Sequence, residues 1–423
     1  MIVRGGTVVT ARAVGQADIA IDGGHITDVG PKLTGNREEI DATGLHIFPG
    51  GVDSHVHFNE PGRTEWEDIA HGSAALAAGG YTSFIDMPLN NLPVTTTVDA
   101  FDLKLAAMQS SSLVDFGLWG GLLPGNLDQL GPLVQRGVMG FKAFMCPSGI
   151  DEFPGCDETT LREGMKRIAE LGSILLVHAE DPARLTEPAG PSAREFIASR
   201  PSEAELSAVH DAIEWAREAG CPLHIVHVSS LPSAALIRAH RQNGVDVSGE
   251  TCPHYLLYGA GDLERLGGLG KCAPPFRTKE ELWPALMEDW LQIVVSDHSP
   301  SAPELKQGND FRKTWGGISG CQSTRQLLLA DGRLELPLIA ALTSTNVAKR
   351  FSLAAKGDIA PGFDADLWIV DLADQDVVRR DDLLYRNPFS VHEGQRVRGR
   401  TIKTLVRGRE PGSGRFIRPG VRS

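Results

Sequence analysis

The chain has 423 residues, a formal net charge of −13 and an ordinary hydrophobic content of 41%. The acidic balance disfavours a nucleic-acid partner, and no segment is apolar for long enough to span a membrane. The first residues lack the build of a signal peptide, and the six cysteines include no Cys-x-x-Cys pair. We therefore expect a cytoplasmic protein with reduced thiols, large enough for an α/β core and a smaller second unit.

Both ends of the chain have the pattern of short strands separated by glycine turns. Near the N-terminus these are IVRGGTVVT, ADIAIDGG and HITDVG, and near the C-terminus DADLWIVDL and TIKTLVRGRE. Neither end alone has enough strands to bury a core. We predict one small β-sandwich domain assembled from residues 1–48 and 355–423.

The middle of the chain alternates short apolar runs with helical stretches. The runs cover 45–55, 81–87, 113–122, 137–145, 173–180, 222–230, 245–250 and 291–299. Their Val, Ile, Leu and Phe content is typical of strands buried on both faces. Eight runs, counting the weak seventh, favour a (β/α)8 TIM-type barrel over an open doubly wound sheet. We predict that this α/β barrel spans residues 49–354.

Two of the helical stretches have recognisable ends. The segment 202–220 opens with Ser202 and Glu205 at the spacing of a capping box and ends at Gly220. The earlier segment WEDIAHGSAALAAGG ends at Gly79 and Gly80 in the same way. We expect one helix in each segment.

Metal-binding residue types close four of the eight runs. His55 and His57 end the first run, and their i, i+2 spacing on a strand turns both to one side. His178, His227 and Asp297 end the fifth, sixth and eighth runs. In a barrel these strand ends converge on one mouth, where barrel enzymes place their active sites. The pattern predicts a site for one or two divalent ions, and five unrelated core residues are the alternative.

The fourth run carries Lys142 where an acid would be expected to bridge two cations. A protonated lysine would repel the ions, but a deprotonated lysine that has reacted with CO2 offers two anionic oxygens as a carbamate. Burial and nearby cations both lower a lysine pKa and so favour that reaction. An ordinary lysine in a salt bridge at the barrel rim is the alternative interpretation.

Three nearby histidines are not predicted to be ligands. His224 lies three residues before His227, so it faces the opposite side of the strand, and His298 points away from its neighbour Asp297. His254, after the seventh run, is interpreted as a supporting or structural residue.

The His-x-His pair, the lysine, the two later histidines and the late aspartate together resemble the amidohydrolase superfamily. The resemblance is to its cyclic-amidase branch, with dihydroorotases, hydantoinases and allantoinases, and it runs from the N-terminal strands to about residue 410. It implies a barrel with a small β-sandwich from both termini, a carboxylated Lys142 that bridges two metals, and Asp297 as the proton carrier. The implied ligands are His55, His57 and Asp297 for the first metal, and His178 and His227 for the second.

The resemblance also implies cofactors and assembly. Two divalent ions per subunit are expected, zinc first and iron, manganese or cobalt as alternatives, together with CO2 for the carbamate on Lys142. Members of the branch are commonly dimers or tetramers, so a homodimer or homotetramer is expected here.

Three stretches resemble the allantoinases within this branch: HFNEPGRTEWED, FKAFMCPSGIDEFP, and SDHSPSAPELK with WGGISGCQSTRQLLL. Similar dihydroorotase segments carry an arginine two residues after the second histidine, which suits a substrate carboxylate. This chain has Asn59 there, which favours a small neutral cyclic ureide, although a loop-shaping role for Asn59 is the alternative. Weaker candidate substrate contacts are Asn90, Ser148, Ala273, Gly316 and Gly317.

The activity implied by the resemblance is hydrolysis of (S)-allantoin to allantoate in purine nitrogen catabolism. Hydantoinase or dihydropyrimidinase activity uses the same chemistry and stays open, whereas Asn59 disfavours a dihydroorotase. A non-catalytic scaffold relative is the remaining alternative, and such a protein would be expected to lack ligands that are all present here.

Overall fold

Sixteen strands make up the β structure of the residues that the computed structural model describes, 1–35, 38–308 and 310–421. In chain order they are β1 Ile2–Val9, β2 Val14–Asp22, β3 His25–Gly30, β4 Glu39–Asp41, β5 His46–Pro49, β6 Gly51–Val56, β7 Tyr81–Asp86, β8 Asp115–Leu118, β9 Gly120–Gly121, β10 Phe141–Phe144, β11 Leu175–His178, β12 Leu223–Ile225, β13 Val247–Thr251, β14 Ile293–Val294, β15 Leu367–Val377 and β16 Arg396–Leu405.

Strands β6 to β14 form the barrel and run parallel to one another. β6, β7 and β8 pair in sequence, and β9 to β14 pair in sequence. β8 and β9 occupy one barrel position that is interrupted at Trp119. The circle closes where Val56 of β6 forms a parallel bridge with His298, just after β14, and the His57 N–H donates to the His298 carbonyl at 2.8 Å. The predicted (β/α)8 barrel is confirmed, and every predicted run overlaps a barrel strand.

Thirteen α-helices lie within the described ranges, and none of them is long and apolar enough to cross a membrane. They are α1 Ile69–Ala78, α2 Val98–Ser111, α3 Leu127–Arg136, α4 Glu158–Glu170, α5 Ala193–Ser199, α6 Ser202–Ala219, α7 Leu231–Gln242, α8 Pro253–Leu257, α9 Leu263–Leu266, α10 Trp283–Met287, α11 Thr324–Asp331, α12 Leu336–Ala340 and α13 Asn346–Arg350.

Both predicted helices are present and both end at the predicted glycines, Gly79 for α1 and Gly220 for α6, but the start of α6 differs from the prediction. The capping box predicted for α6 is wrong, because the helix begins after Pro201 without a side-chain cap. The carboxylate of Glu205 is buried against the barrel instead, where it accepts hydrogen bonds from the Ser229 N–H at 3.0 Å and the Ser230 hydroxyl at 2.7 Å.

The strands from both ends of the chain form one seven-stranded sheet. Its order is β16–β15–β5–β1–β2–β3, with β4 also paired to β1. β5 connects the two ends, since it runs parallel to β1 and antiparallel to β15, with Ile47 opposite Ile369. These strands bury a hydrophobic core of their own, which includes Val3, Ile19 and Leu405. The division of the chain into two domains near residues 48 and 355 stays a prediction.

A buried ionic cluster joins this sheet to the barrel. The Lys356 ammonium contacts Asp115 of β8 at 2.6 Å, and also Asp364 at 2.8 Å and Asp366 at 2.7 Å, both just before β15. Arg407, which follows β16, forms a second ion pair with Asp115. The cluster therefore links a barrel strand to both of the C-terminal strands.

Candidate metal centre

Five of the six predicted ligands line one cavity of about 370 Å³. They are His55, His57, His178, His227 and Asp297. Each lies at or just after the carboxyl end of a barrel strand, because parallel strands end together at one mouth. The structure thus brings together side chains from β6, β11, β12 and β14.

Three of these side chains form the first group. His55 Nε2 lies 3.2 Å and His57 Nε2 lies 3.4 Å from Asp297 Oδ1, and the two imidazole centroids are 5.4 Å apart. Burial lowers the pKa of His57 to about 4. Burial alone would raise the pKa of Asp297, but the two neighbouring imidazoles hold it below its usual range. A neutral imidazole and an ionised carboxylate are the forms that bind metals.

The second group consists of two imidazoles. His178 Nδ1 lies 3.1 Å from His227 Nε2, and burial lowers the pKa of both histidines. The His178 ring stacks on Phe144 with a centroid distance of 4.6 Å. The two groups adjoin, because the rings of His227 and His55 are 5.4 Å apart.

Lys142 lies near both groups, with its Nζ 4.8 Å from the centroid of the Phe144 ring on which His178 stacks. Its side chain is fully buried, its Nζ has no hydrogen-bond partner within the described part of the chain, and burial lowers its pKa to about 7. Its charge lowers the pKa of His57, His178 and His227, which places it close to both groups. An amine with this pKa is substantially uncharged near neutral pH.

The backbone is strained at three residues of this cavity. Asn90, His227 and Asp297 have φ angles of 77°, 37° and 45° in the left-handed region. Non-glycine residues adopt this region at a cost of about 1–3 kcal/mol, and such residues cluster at functional sites. The local conformation therefore supports a functional assignment for this cavity.

Two buried glutamates that the sequence analysis did not single out support the histidines. Glu250 Oε1 lies 2.5 Å from His55 Nδ1, and Glu180 Oε2 lies 2.7 Å from His178 Nε2. Burial would raise the pKa of each carboxyl group. The neighbouring His55 outweighs this effect for Glu250 and the neighbouring Arg200 does so for Glu180, and each pKa falls to about 2. A sequence signal existed, since Glu250 ends the seventh run and Glu180 lies two residues after His178.

The three remaining histidines near the site lie behind the cavity wall. His224 Nε2 contacts Glu250 at 3.0 Å, and His298 Nε2 contacts Glu67 at 3.3 Å. His254 is fully buried beside the first group, within 4.8 Å of its aspartate, and neither ring nitrogen has a hydrogen-bond partner among the described residues.

Most of the predicted substrate contacts line the cavity. They are Asn90, Ser148, Ala273, Gly316 and Gly317. The Asn90 amide lies 3.4 Å from His57 Nδ1, so it is close to the first group. The lining also contains cations that the sequence analysis did not consider, namely Arg200, Lys271, Arg312 and Lys313.

Asn59 is placed differently from the other predicted contacts. It is fully buried and does not line the cavity, and its side-chain amide donates to the Pro300 carbonyl at 3.4 Å. Its backbone carbonyl accepts from the Arg63 N–H at 2.9 Å, which shapes the loop after β6. In this position the Asn59 side chain does not reach the cavity, so its contact with Pro300 favours the loop-shaping role over a substrate contact.

Comparison with known proteins agrees with this geometry. Residues 46–410 match the amidohydrolase family. The chain is 49% identical to an allantoinase of Rubrobacter xylanophilus, over 99% of this chain and 97% of that protein. It is also 49% identical to an allantoinase of Solibacter usitatus, over 96% of this chain and 92% of that protein.

Solved structures give the same result at lower identity. The L-hydantoinase (dihydropyrimidinase) of Arthrobacter aurescens superposes with a TM-score of 0.95 at 31% identity, over 99% of both chains. The dihydropyrimidinase of Brevibacillus agri gives 0.92 at 30% identity, over 100% of this chain and 99% of that one. The chain therefore belongs to the amidohydrolase family, as a cyclic amidohydrolase that resembles allantoinases and acts on C–N bonds in cyclic amides.

Proposed function

We propose that this chain hydrolyses the cyclic amide of (S)-allantoin to allantoate in a metal-dependent reaction. The observation that carries the proposal is the identity of 49% to proteins named allantoinase over nearly the full length of both chains. Purine nitrogen catabolism in the cytoplasm, as a homodimer or homotetramer, is the setting that we propose for this activity.

The side chains of the cavity fit two divalent ions. His55, His57 and Asp297 would hold the first ion, and His178 and His227 the second, with zinc proposed ahead of iron, manganese or cobalt. The buried Lys142 amine without a partner fits the proposed carbamate, since reaction with CO2 would turn it into a bridging anion. When bound, such ions lower the pKa of water and polarise a carbonyl oxygen.

Asp297 is the residue that we propose to move the proton. Its Oδ1 faces both imidazoles of the first group, which leaves Oδ2 to receive a proton from the attacking water. The same oxygen then gives this proton to the ring nitrogen, which leaves poorly without it. The side chain keeps 13% exposure, so it reaches the cavity in which the ring would lie.

The cations of the cavity suit a reaction that creates negative charge. Ring opening turns a neutral cyclic amide into a carboxylate, and Lys271 and Lys313 at the cavity wall would stabilise that charge. Arg200 is already paired with Glu180, so it contributes less to this effect.

A substrate panel tests the proposal directly. Purified, metal-loaded protein is expected to turn over (S)-allantoin faster than hydantoin, dihydrouracil or dihydroorotate, and to lose this activity when a chelator removes its metal. The structural neighbours named hydantoinases make hydantoins the strongest competitors. Faster turnover of dihydrouracil would reassign the substrate, full activity in the metal-free protein would contradict the mechanism, and inactivity on the whole panel would favour the scaffold alternative.

A further inference from the structure

Glu250 and Glu180, which the mechanism above does not use, each face one imidazole of the proposed metal site. The contacts are 2.5 Å from Glu250 Oε1 to His55 Nδ1 and 2.7 Å from Glu180 Oε2 to His178 Nε2. Neither glutamate has any exposed surface. Each buried carboxylate therefore depends on these side-chain partners.

These contacts determine which ring nitrogen carries the proton. An ionised carboxylate only accepts hydrogen bonds, so His55 is protonated on Nδ1 and His178 on Nε2. The lone pairs then lie on His55 Nε2, which faces Asp297, and on His178 Nδ1, which faces His227. In both cases the glutamate leaves free the nitrogen that points at the other proposed ligands.

The two glutamates differ in what lies behind them. The second oxygen of Glu250 lies 3.0 Å from His224 Nε2, and His224 Nδ1 lies 2.7 Å from the Ser248 hydroxyl. No lysine or arginine forms an ion pair with Glu250 among the described residues. Glu250 also interacts electrostatically with Lys142, but the proposed carbamate would make that side chain an anion, so the negative charge of Glu250 is not offset by a permanent cation.

Glu180, in contrast, is paired with an arginine through both oxygens. Arg200 Nε donates to Glu180 Oε1 at 3.1 Å, and Arg200 Nη2 donates to Glu180 Oε2. A fixed cation offsets the charge of this carboxylate, so it polarises its imidazole less than an unpaired carboxylate would.

We propose that Glu250 and Glu180 are positioning residues that hold His55 and His178 in their metal-binding tautomers, and that the unequal neutralisation of the two carboxylates makes the His55 site the tighter of the two. This inference rests on the binuclear site of the proposed function. Of the two metal positions, the one at His55 would bind its ion more tightly, and the two glutamates would cause this difference.

The order of affinity of the two sites is tested by measuring how fast full-length, zinc-loaded protein releases zinc into excess chelator. Wild-type protein is expected to release two zinc ions in a fast and a slow phase. His55→Asn should remove the slow phase and His178→Asn the fast phase, which assigns each phase to its site. Glu250→Gln should speed the slow phase and Glu180→Gln the fast phase, each by about 10–100-fold. Arg200→Gln should slow the fast phase, a gain in affinity that a damaged fold would not produce.

Glu205→Gln is the matched control, because Glu205 is also a buried glutamate of the barrel but contacts serines instead of imidazoles. It should leave both phases unchanged. Anomalous diffraction from wild-type zinc protein provides a second readout that needs no variant, and it should show zinc on His55 Nε2 and His178 Nδ1.

Zinc on the opposite ring nitrogens, wild-type release rates in both glutamate variants, or a slow phase that belongs to the His178 site would each overturn the inference while leaving the proposed hydrolysis intact. Fewer than two zinc ions per wild-type chain would instead overturn the binuclear site, and the inference with it.

Discussion

Lys142 is the residue whose environment is hardest to explain without a modification. Among the described residues the buried Lys142 ammonium has no hydrogen-bond partner, which destabilises it as a cation, whereas a carbamate between two cations would be stabilised by both. Lys142→Ala is expected to bind one zinc ion per chain instead of two and to lose nearly all hydrolytic activity. Metal analysis and turnover of allantoin measure both effects, and the exposed Lys349→Ala serves as the control.

Chemical rescue separates the carbamate from a structural role for the lysine. A short carboxylate such as acetate or propionate should restore part of the activity of Lys142→Ala, because it replaces the missing anionic bridge. A Lys142→Ala variant with undiminished activity would exclude the carbamate.

The sequence was informative for residues whose position follows from strand ends alone. His55, His57, His178, His227 and Asp297 each close an apolar run, so a barrel topology brings them together before any contact is known. Glu180 and Glu250 were missed because their proposed role depends on which imidazole each one faces, and the spacing of residues along the chain does not record that contact. The orientation of the Asn59 side chain could not be read from spacing either, because it is set by a contact with the Pro300 carbonyl, far away in the sequence.

At the scale of elements, the turn between α1 and β7 positions the barrel against the terminal sheet. Gly80 in this turn has a φ of 82°, and a Cβ there would lie 2.5 Å from the Trp368 ring of β15. Gly44 has nearly the same φ, 80°, but nothing lies within 4 Å of its would-be Cβ. A residue with a side chain would therefore be strained by the backbone at both positions, but it would meet a packed ring only at position 80.

Gly80→Ala is expected to lower the free energy of unfolding by about 1–3 kcal/mol more than Gly44→Ala, because only the first variant forces a methyl group against a packed ring. Urea unfolding followed by tryptophan fluorescence measures both variants. Equal losses would mean that α1 and β15 separate enough to admit the methyl group.

The elements themselves were largely predictable, with exceptions that have physical causes. All eight runs overlap barrel strands because both faces of each strand are buried, which favours apolar residues in most runs and only weakly in the seventh. The third run contains a break at Trp119 that composition does not reveal, since the indole N–H turns inward to donate to the Ser54 carbonyl at 2.9 Å. The capping box predicted for α6 was wrong because the Glu205 side chain accepts hydrogen bonds from the loop after β12 and not from its own helix end.

At the scale of the whole molecule, the Lys356 cluster makes the attachment of the terminal sheet sensitive to acid. Burial raises the pKa of Asp115, but Lys356 and Arg407 outweigh it and hold the pKa below its usual range. Such a carboxyl group stabilises the fold at pH values above its unfolded-state pKa of about 3.9, and this contribution is lost as the pH falls through the lower folded-state value. Asp366 works in the opposite sense, because burial leaves its pKa raised.

Asp115→Asn is therefore expected to lower the free energy of unfolding by about 3 kcal/mol at pH 7, since it removes one partner of a buried ion pair. The difference in the free energy of unfolding between Asp115→Asn and wild type should shrink as the pH falls below about 4. Urea unfolding at a series of pH values measures this, with Asp374→Asn, from an exposed pair with Arg400, as the control. A difference that stays constant down to pH 3 would contradict the assignment.

The bridge between Val56 and His298 has a consequence for how the protein matures. It joins the first barrel strand to the segment after the last one, and the proposed first metal site straddles that seam, with two histidines on one side and an aspartate on the other. Until the ribosome has added Asp297, the polypeptide carries only the two histidines of that site. Ion capture at this proposed site would therefore require the chain to extend past residue 297, so a polypeptide that terminates earlier would lack it.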